Sequence, residues 1–238
     1  MTTLVIDAGN TSIKAAVFTD GIISSIYRFD LSNFSEINQI VEFPLIERTA
    51  ISSVLNEKDT SLIAAACPSP KNITTQLKTN LKSKYESMNT LGMDRWANAN
   101  AGNHLSNNGK CVTVDIGTCI KFDVVIDHVY MGGSISPGID LRYKSLNDYT
   151  AALPLLNKKE ECPLNGNSTA LSIQSGVING IQAEINDLIR RYEDRFECLT
   201  FFVTGGDAQY FDFGGKNNIF VDENLTLKGI YQIFKLNA

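Results

Sequence analysis

The stretch Leu4-Val5-Ile6-Asp7-Ala8-Gly9-Asn10-Thr11-Ser12-Ile13-Lys14 returns near the middle of the chain as Val112-Thr113-Val114-Asp115-Ile116-Gly117-Thr118-Cys119-Ile120-Lys121, once a one-residue gap is allowed at Asn10. Each copy is an apolar run, an Asp-x-Gly turn, a Thr and a second run that reads as a strand. That is the grammar of a hairpin, with glycine supplying the backbone freedom of the turn. Two copies starting roughly half a chain apart point to duplicated lobes facing each other; the alternative is chance similarity between two hairpins. The Ser106-Asn107-Asn108-Gly109 break separates the copies, which predicts lobes over 1–108 and 109–238.

Composition narrows the function classes. The chain has 238 residues, enough to bury a real core in one domain or two. A formal net charge of −5 gives no reason to expect nonspecific attraction to nucleic acid or an anionic membrane. No run approaches the roughly 20 apolar residues of a membrane span, and the N-terminus enters a strand-like run without signal-peptide features. Five scattered cysteines without a C-x-x-C pair read as reduced thiols of a cytoplasmic protein. His104 and His128 lie far apart, outside any metal-ligand spacing.

Along the first lobe, a meander is predicted around the Thr19-Asp20-Gly21 turn, a buried strand over 49–55 and a helix over 94–104. The stretch 34–46 is ambiguous and partly helical, and 61–67 is Ala-rich and not assignable from periodicity. In the second lobe Gly132-Gly133 and Ile135-Ser136-Pro137-Gly138 belong to a strand-and-turn segment, and a Pro-interrupted connector covers 153–166. The clearest helix runs over 169–192, where Ile173, Val177, Ile181, Ile185, Leu188 and Tyr192 form one apolar stripe. Gly176 and Gly180, costly in a helix by up to about 1 kcal/mol each, suggest close backbone packing there. A final strand, 199–203, runs into Thr204-Gly205-Gly206-Asp207-Ala208.

Three acids stand at or beside Gly-containing turns: Asp7, Asp94 in Gly92-Met93-Asp94-Arg95, and Asp115. Gly-rich turns at Gly132-Gly133 and Gly205-Gly206 complete the set. A nucleoside triphosphate needs backbone N–H groups near its oxygens and a cation held by carboxylate. Glycine allows the first because nothing bulky blocks approach. A strand-end aspartate supplies the second, since Mg²⁺ takes one or two carboxylates and keeps several waters. Neither a G-x-x-x-x-G-K-[ST] phosphate loop nor a G-x-G-x-x-G turn is present, so a nucleotide site here is of the two-lobed kind.

In their joint order, these motifs resemble the type III pantothenate kinases, of the actin, hexokinase and heat-shock chaperone superfamily. The resemblance covers nearly the whole chain. It is carried by Asp7-Ala8-Gly9-Asn10-Thr11, Gly92-Met93-Asp94-Arg95, Asp115-Ile116-Gly117-Thr118 with Asp123, and Gly132 through Gly138. Thr150-Ala151-Ala152-Leu153-Pro154, Asn167-Ser168-Thr169 with Ser172-Ile173-Gln174-Ser175-Gly176, and Thr204-Gly205-Gly206 complete it. It implies an α/β fold of two duplicated ribonuclease H-like lobes, each a mixed five-stranded sheet with helices, around a central nucleotide cleft. It also implies ATP-dependent phosphorylation of pantothenate, the first step toward coenzyme A, by a cytoplasmic homodimer. ATP would meet Asp7, Ala8, Gly9, Asn10, Thr11, Ser12, Ile13 and Lys14 in the first lobe, and Thr118, Gly205 and Gly206 in the second. Asp94 matches the general base, and Tyr85, Gly92, Met93, Asp94, Arg95 and Thr169 match the pantothenate contacts. Asp115 matches the ligand of a monovalent cation, K⁺ or ammonium, required beside Mg²⁺; Asp7 would hold Mg²⁺ through water.

The residues themselves leave other readings open. Arg95 suits a carboxylate or phosphate held bidentately, and Asp94 suits a base for a hydroxyl attacking phosphorus. Yet Asp94-Arg95 also reads as a simple helix start, Tyr85 as a half-buried surface residue, and Thr169 as a helix N-terminal hydroxyl. Lys14 and Lys121 read as solvated strand residues. Two departures stand out: the turn before Asp94 is Leu91-Gly92-Met93 where the family commonly has Gly-Pro-Gly, and Lys121 replaces a small hydroxyl residue. An ammonium there, near Asp115 or Asp123, would weaken or replace the monovalent cation. The rivals are a nucleotide-binding regulator of the same fold with little catalysis, and a kinase of another hydroxylated acid or sugar.

Overall fold

The computed structural model describes residues 1–9, 12–30, 45–159 and 162–238. Asn10, Thr11 and most of the ambiguous stretch 34–46 lie outside the described residues. The protein is α/β and divides into two compact units, one of Met1–Leu105 with Asn224–Ala238, the other of Ser106–Glu223.

The first unit is built on strand β1 (Thr2–Ala8), whose run Leu4-Val5-Ile6 is fully buried. Such a run suits a central strand covered on both faces. It pairs antiparallel with β2 (Ser12–Thr19) and parallel with β4 (Arg48–Ser53). The sheet order is β3-β2-β1-β4-β5, with β3 (Ile22–Asp30) and β5 (Pro70–Asn72) at its edges. The β2–β3 turn places Asp20 at φ 50° and Gly21 at φ 89°; both central residues of a tight type I′ hairpin turn need positive φ. The Ala-rich stretch is helical: α1 (Glu57–Ala65) starts at Asn56, whose side chain accepts the Asp59 N–H.

In the second unit β6 (Cys111–Ile116) is the buried centre. It pairs antiparallel with β7 (Cys119–Ile126), which pairs antiparallel with β8 (Val129–Pro137). On its other side β6 pairs parallel with β9 (Thr200–Thr204), and β9 with β10 (Ile219–Val221). Among the strands of this unit the order β8-β7-β6-β9-β10 reproduces β3-β2-β1-β4-β5, with the same senses over the paired strands at its centre; the second sheet counts six strands in all, one more than the five expected of each lobe. The hairpin echo is therefore the visible part of a duplicated topology. Even the turn between β7 and β8 repeats that of β2 and β3, with Asp127 at φ 51° and His128 at φ 62°.

Helices α3 (Ile139–Asp148) and α4 (Thr169–Arg195) cover the second sheet. The expected stripe is borne by Ile173, Val177, Ile181 and Ile185, all buried with Ile178 and Ile189, while Leu188 and Tyr192 are partly buried against the same cluster. Burying a side chain of this size stabilises by about 1.5–3 kcal/mol. The expectation of close backbone packing at Gly176 and Gly180 is corrected: a Cβ at either would meet nothing within 4 Å. The tight contact is at Gly166, where a Cβ would lie 2.2 Å from Ser172 N.

The chain's last helix also departs from the expected division at 108/109. Helix α5 (Leu225–Lys235) buries Leu225, Leu227, Ile230, Ile233 and Phe234 within the first unit. A Cβ on its Gly229 would stand 1.9 Å from Ala97 O of helix α2 (Met93–Leu105), so glycine allows the backbones to touch. Tyr231 stacks on Phe18 at 4.1 Å between ring centroids, and Thr226 Oγ1 donates to Asn98 Oδ1 at 2.8 Å.

Candidate active site

The two Asp-x-Gly turns share backbone chemistry as well as sequence. Gly9 N–H donates to Ser12 O at 3.0 Å, and Gly117 N–H to Cys119 O at 3.1 Å. In the ladders Asp7 stands opposite Lys14, and Asp115 opposite Lys121. Each aspartate is also the neighbour of a hydroxyl residue on the parallel strand, Ser52 for Asp7 and Thr204 for Asp115. Ala8 is buried and Ser12 exposed, Ile13 packs into the first core, and Lys14 is half-buried. A carboxylate at the end of a central strand, beside an exposed turn with glycine at its bend, suits a hydrated divalent cation and its phosphates.

The second copy carries an ion pair. Lys121 Nζ lies 2.7 Å from Asp115 Oδ2, with the side chains 16% and 15% exposed. Lys121 is thus a largely buried counter-ion rather than a solvated strand residue. Asp123 is buried and accepts the Tyr130 hydroxyl at 2.6 Å. Thr118 is exposed at the turn, and its carbonyl accepts the Gly138 N–H at 3.0 Å.

Gly205 and Gly206 follow β9 and pack on the Asp115 turn from the parallel side. Gly205 has φ 98°, and a Cβ there would come within 2.2 Å of Ile116 O. Asp207 N–H donates to the same carbonyl at 2.9 Å. Only glycine accommodates both the backbone angle and the approach. Asp115, Thr118, Gly205 and Gly206 are therefore brought together within the second unit.

Asp94 sits in the first turn of α2, where a negative charge is favoured by the helix macrodipole. Its Oδ1 accepts the Arg95 N–H at 2.8 Å. A Cβ on Gly92 would stand 2.5 Å from that oxygen, so this glycine leaves the carboxylate its place. Met93 and Arg95 are buried, and the Arg95 guanidinium lies 5.7 Å from the centre of the half-buried Tyr85 ring, a cation–π contact. Tyr85, Gly92, Met93, Asp94 and Arg95 thus form one cluster in the first unit.

Thr169 is exposed at the start of α4, and the helix cap is its neighbour Ser168, whose hydroxyl accepts the Leu171 N–H at 3.3 Å. Thr169 lines a cavity of about 960 Å³ with Arg142, Leu146, Leu153 and Ile173; none of Asp115, Thr118, Gly205 or Gly206 is in its wall. Arg142 is fixed by Pro137 O at 2.8 Å and by Glu184, which also accepts from Ser136. No local sequence pattern marks Arg142 and Glu184, because their contact joins residues 42 apart.

The type III pantothenate kinase family model matches residues 3–191. A type III pantothenate kinase of Christiangramia forsetii is 38% identical over 238 residues, covering 98% of each chain. Another, from Cytophaga hutchinsonii, is 36% identical and covers 99% of each. Among solved structures, a Baf family protein of Campylobacter jejuni superposes with a TM-score of 0.63 at 22% identity, covering 98% of each chain. The activator of 2-hydroxyisocaproyl-CoA dehydratase from Clostridium difficile, solved with ADPNP, superposes with a TM-score of 0.57 at 10% identity, over 100% of this chain and 96% of that one. At these identities the two structures speak for the fold alone.

Proposed function

The chain belongs to the type III pantothenate kinase family, and from that premise we propose that Asp94 is the general base that readies the primary hydroxyl of pantothenate for attack on ATP. The protein is an ATP-dependent phosphotransferase that converts pantothenate to 4′-phosphopantothenate, opening coenzyme A synthesis. In the proposed step the hydroxyl proton passes to the Asp94 carboxylate as oxygen bonds to the γ-phosphorus. The bond from that phosphorus to the β–γ bridging oxygen breaks, and ADP leaves. The observation that carries this reading is the half-buried Asp94 carboxylate in the first turn of a helix whose residues Arg95 through Asn103 are buried, with Gly92 keeping its place clear.

Arg95, braced by Tyr85, is read as a pantothenate contact with Gly92 and Met93, its guanidinium suited to the substrate carboxylate. Thr169 is assigned to the same substrate from the cavity at the start of α4. The 7–14 hairpin, Thr118, Gly205 and Gly206 are assigned to ATP. Magnesium, when bound, would neutralise charge on the triphosphate oxygens, with Asp7 reaching it through water.

For a monovalent cation at Asp115 the fit is poor. A carboxylate already 2.7 Å from an ammonium has lost the net charge that would draw K⁺. Lys121 is read as the built-in replacement for that ion.

The reading extends to a homodimer, to whose interface exposed apolar side chains of the second unit such as Tyr149, Leu155 and Leu164 would contribute. No nucleic-acid or membrane partner is proposed for a chain of net charge −5. Among the described residues no helix is long and apolar enough to cross a membrane, and all five cysteines are free; a cytoplasmic location agrees with both.

Incubating the purified protein with ATP and pantothenate tests the function, with formation of ADP and phosphopantothenate expected. Nucleotide binding without turnover would favour a regulator of the same fold. Transfer to another hydroxylated acid or sugar alone would make it a different kinase.

A further inference from the structure

Lys158 lies in the connector between α3 and α4 and places its ammonium between two acids. Nζ donates to both carboxylate oxygens of Asp207, at 2.7 and 2.8 Å, and lies 2.9 Å from Asp140 Oδ2. The Asp207 side chain is 9% exposed, so its charge is largely withdrawn from water. Burial alone would lower the Lys158 pKa; the bonds from Asp140 and Asp207 outweigh it and raise the pKa above the usual lysine value.

The two acids mark two backbone segments that grip the same third. Asp140 stands two residues past Gly138 in the first turn of α3. Gly138 N–H donates to Thr118 O, and a Cβ on Gly138 would lie 2.0 Å from Gly117 O. Asp207 follows Gly206, and this segment presses on Ile116 O through Gly205 and the Asp207 N–H. The 115–118 turn is thereby held between them, and the Lys158 ammonium joins the outer pair.

We propose that Lys158 is a positioning residue: it cross-ties the start of α3 to the Gly205–Gly206 turn and so fixes the backbone that receives the nucleotide. The inference rests on the reading that Thr118, Gly205 and Gly206 take ATP. Without the ammonium, Asp207 is a nearly buried anion stripped of its counter-charge beside the turn assigned to ATP, and the turn gains by moving to expose it.

The test is K158M, compared with the unaltered protein in Kd for a fluorescent ATP derivative and in KM for each substrate. Expected is a loss of ATP affinity of about tenfold or more, with KM for pantothenate unchanged. K158R should restore most of the affinity, and K158M/D207N should be no weaker than D207N, because the lysine acts through that aspartate. D140N, altered at an exposed side chain, should show a smaller loss in the same direction and reports if K158M folds poorly. Unaltered ATP affinity in K158M, or in D140N where K158M does not fold, overturns the cross-tie while leaving the kinase reading intact. If the unaltered protein neither binds the ATP derivative nor phosphorylates pantothenate, both readings fall.

Discussion

Lys121 and Asp115 face each other across the β6–β7 ladder and close an ion pair of 2.7 Å that is largely shielded from solvent. On the proposed reading, this fixed ammonium takes the electrostatic place of a bound monovalent cation, without any dependence on its concentration. Turnover of the unaltered protein should therefore change little when K⁺ is replaced by a bulky organic cation. K121S should lose activity in that buffer and regain about tenfold on adding K⁺, equivalent to about 1.4 kcal/mol. Removing the lysine also takes an ammonium away from a mostly buried carboxylate, at about 1–3 kcal/mol of stability. Strong K⁺ stimulation of the unaltered protein would refute the idea.

Variants at Asp94 and Gly92 test the proposed base separately from folding. D94N keeps the size of the side chain and removes its basicity, so kcat should fall by about 10²–10⁴ with the melting temperature nearly unchanged. G92A is the subtler probe: its Cβ would stand 2.5 Å from Asp94 Oδ1, the end of a side chain that can swing away. Expected is a fall in kcat without unfolding, read by kinetics beside a thermal melt. A G92A enzyme of full activity would show that the carboxylate works from another position.

Much of this arrangement was legible in the sequence because it is written locally. The echo of the 4–14 stretch in 112–121 anticipated the repeated strand order, and the 3.6-residue period of Ile173, Val177, Ile181 and Ile185 anticipated α4. What stayed hidden depends on distant partners. The Lys121–Asp115 pair was one of two options, because ladder register sets which acid the lysine opposes. Helix α5 went unread although Leu227, Ile230 and Phe234 have helical spacing, and its place in the first unit follows from contacts distant in sequence, Gly229 with Ala97, Tyr231 with Phe18 and Thr226 with Asn98. Gly176 and Gly180 misled because a glycine's cost in a helix carries no information on which neighbour, if any, it admits.

Gly205 and Gly206 look interchangeable in sequence and are not. Gly205 combines φ 98° with a neighbour 2.2 Å from any Cβ, and that neighbour is backbone that cannot swing aside. Gly206 has open space around it. G205A should lose about 1–3 kcal/mol from the overlap alone, with further loss from the strained angle, and its ATP affinity should drop. G206A should fold and melt like the unaltered protein. Equal melting temperatures for the two variants would show the Gly205 turn to be soft.

The cysteines give a prediction independent of the active site. Burial pushes the Cys111 thiol up to about 12 and the Cys67 thiol up to about 11, outweighing the hydrogen bonds from Ser106 and Thr49. Cys198 is exposed. A thiolate reagent at pH 8 should label Cys198 promptly in the native protein, and Cys67 and Cys111 only after denaturation. Both folded values lie above the ordinary value of 9.0, so the folded state holds these protons more tightly than the unfolded chain. Their influence on stability is therefore flat below about pH 9 and turns unfavourable as pH rises through the range from 9 toward 12. C67A/C111A, though weakened by the two small cavities, should lose less stability over that range than the unaltered protein. Parallel losses in urea titrations at pH 8 and 10 would assign the alkaline sensitivity to other groups.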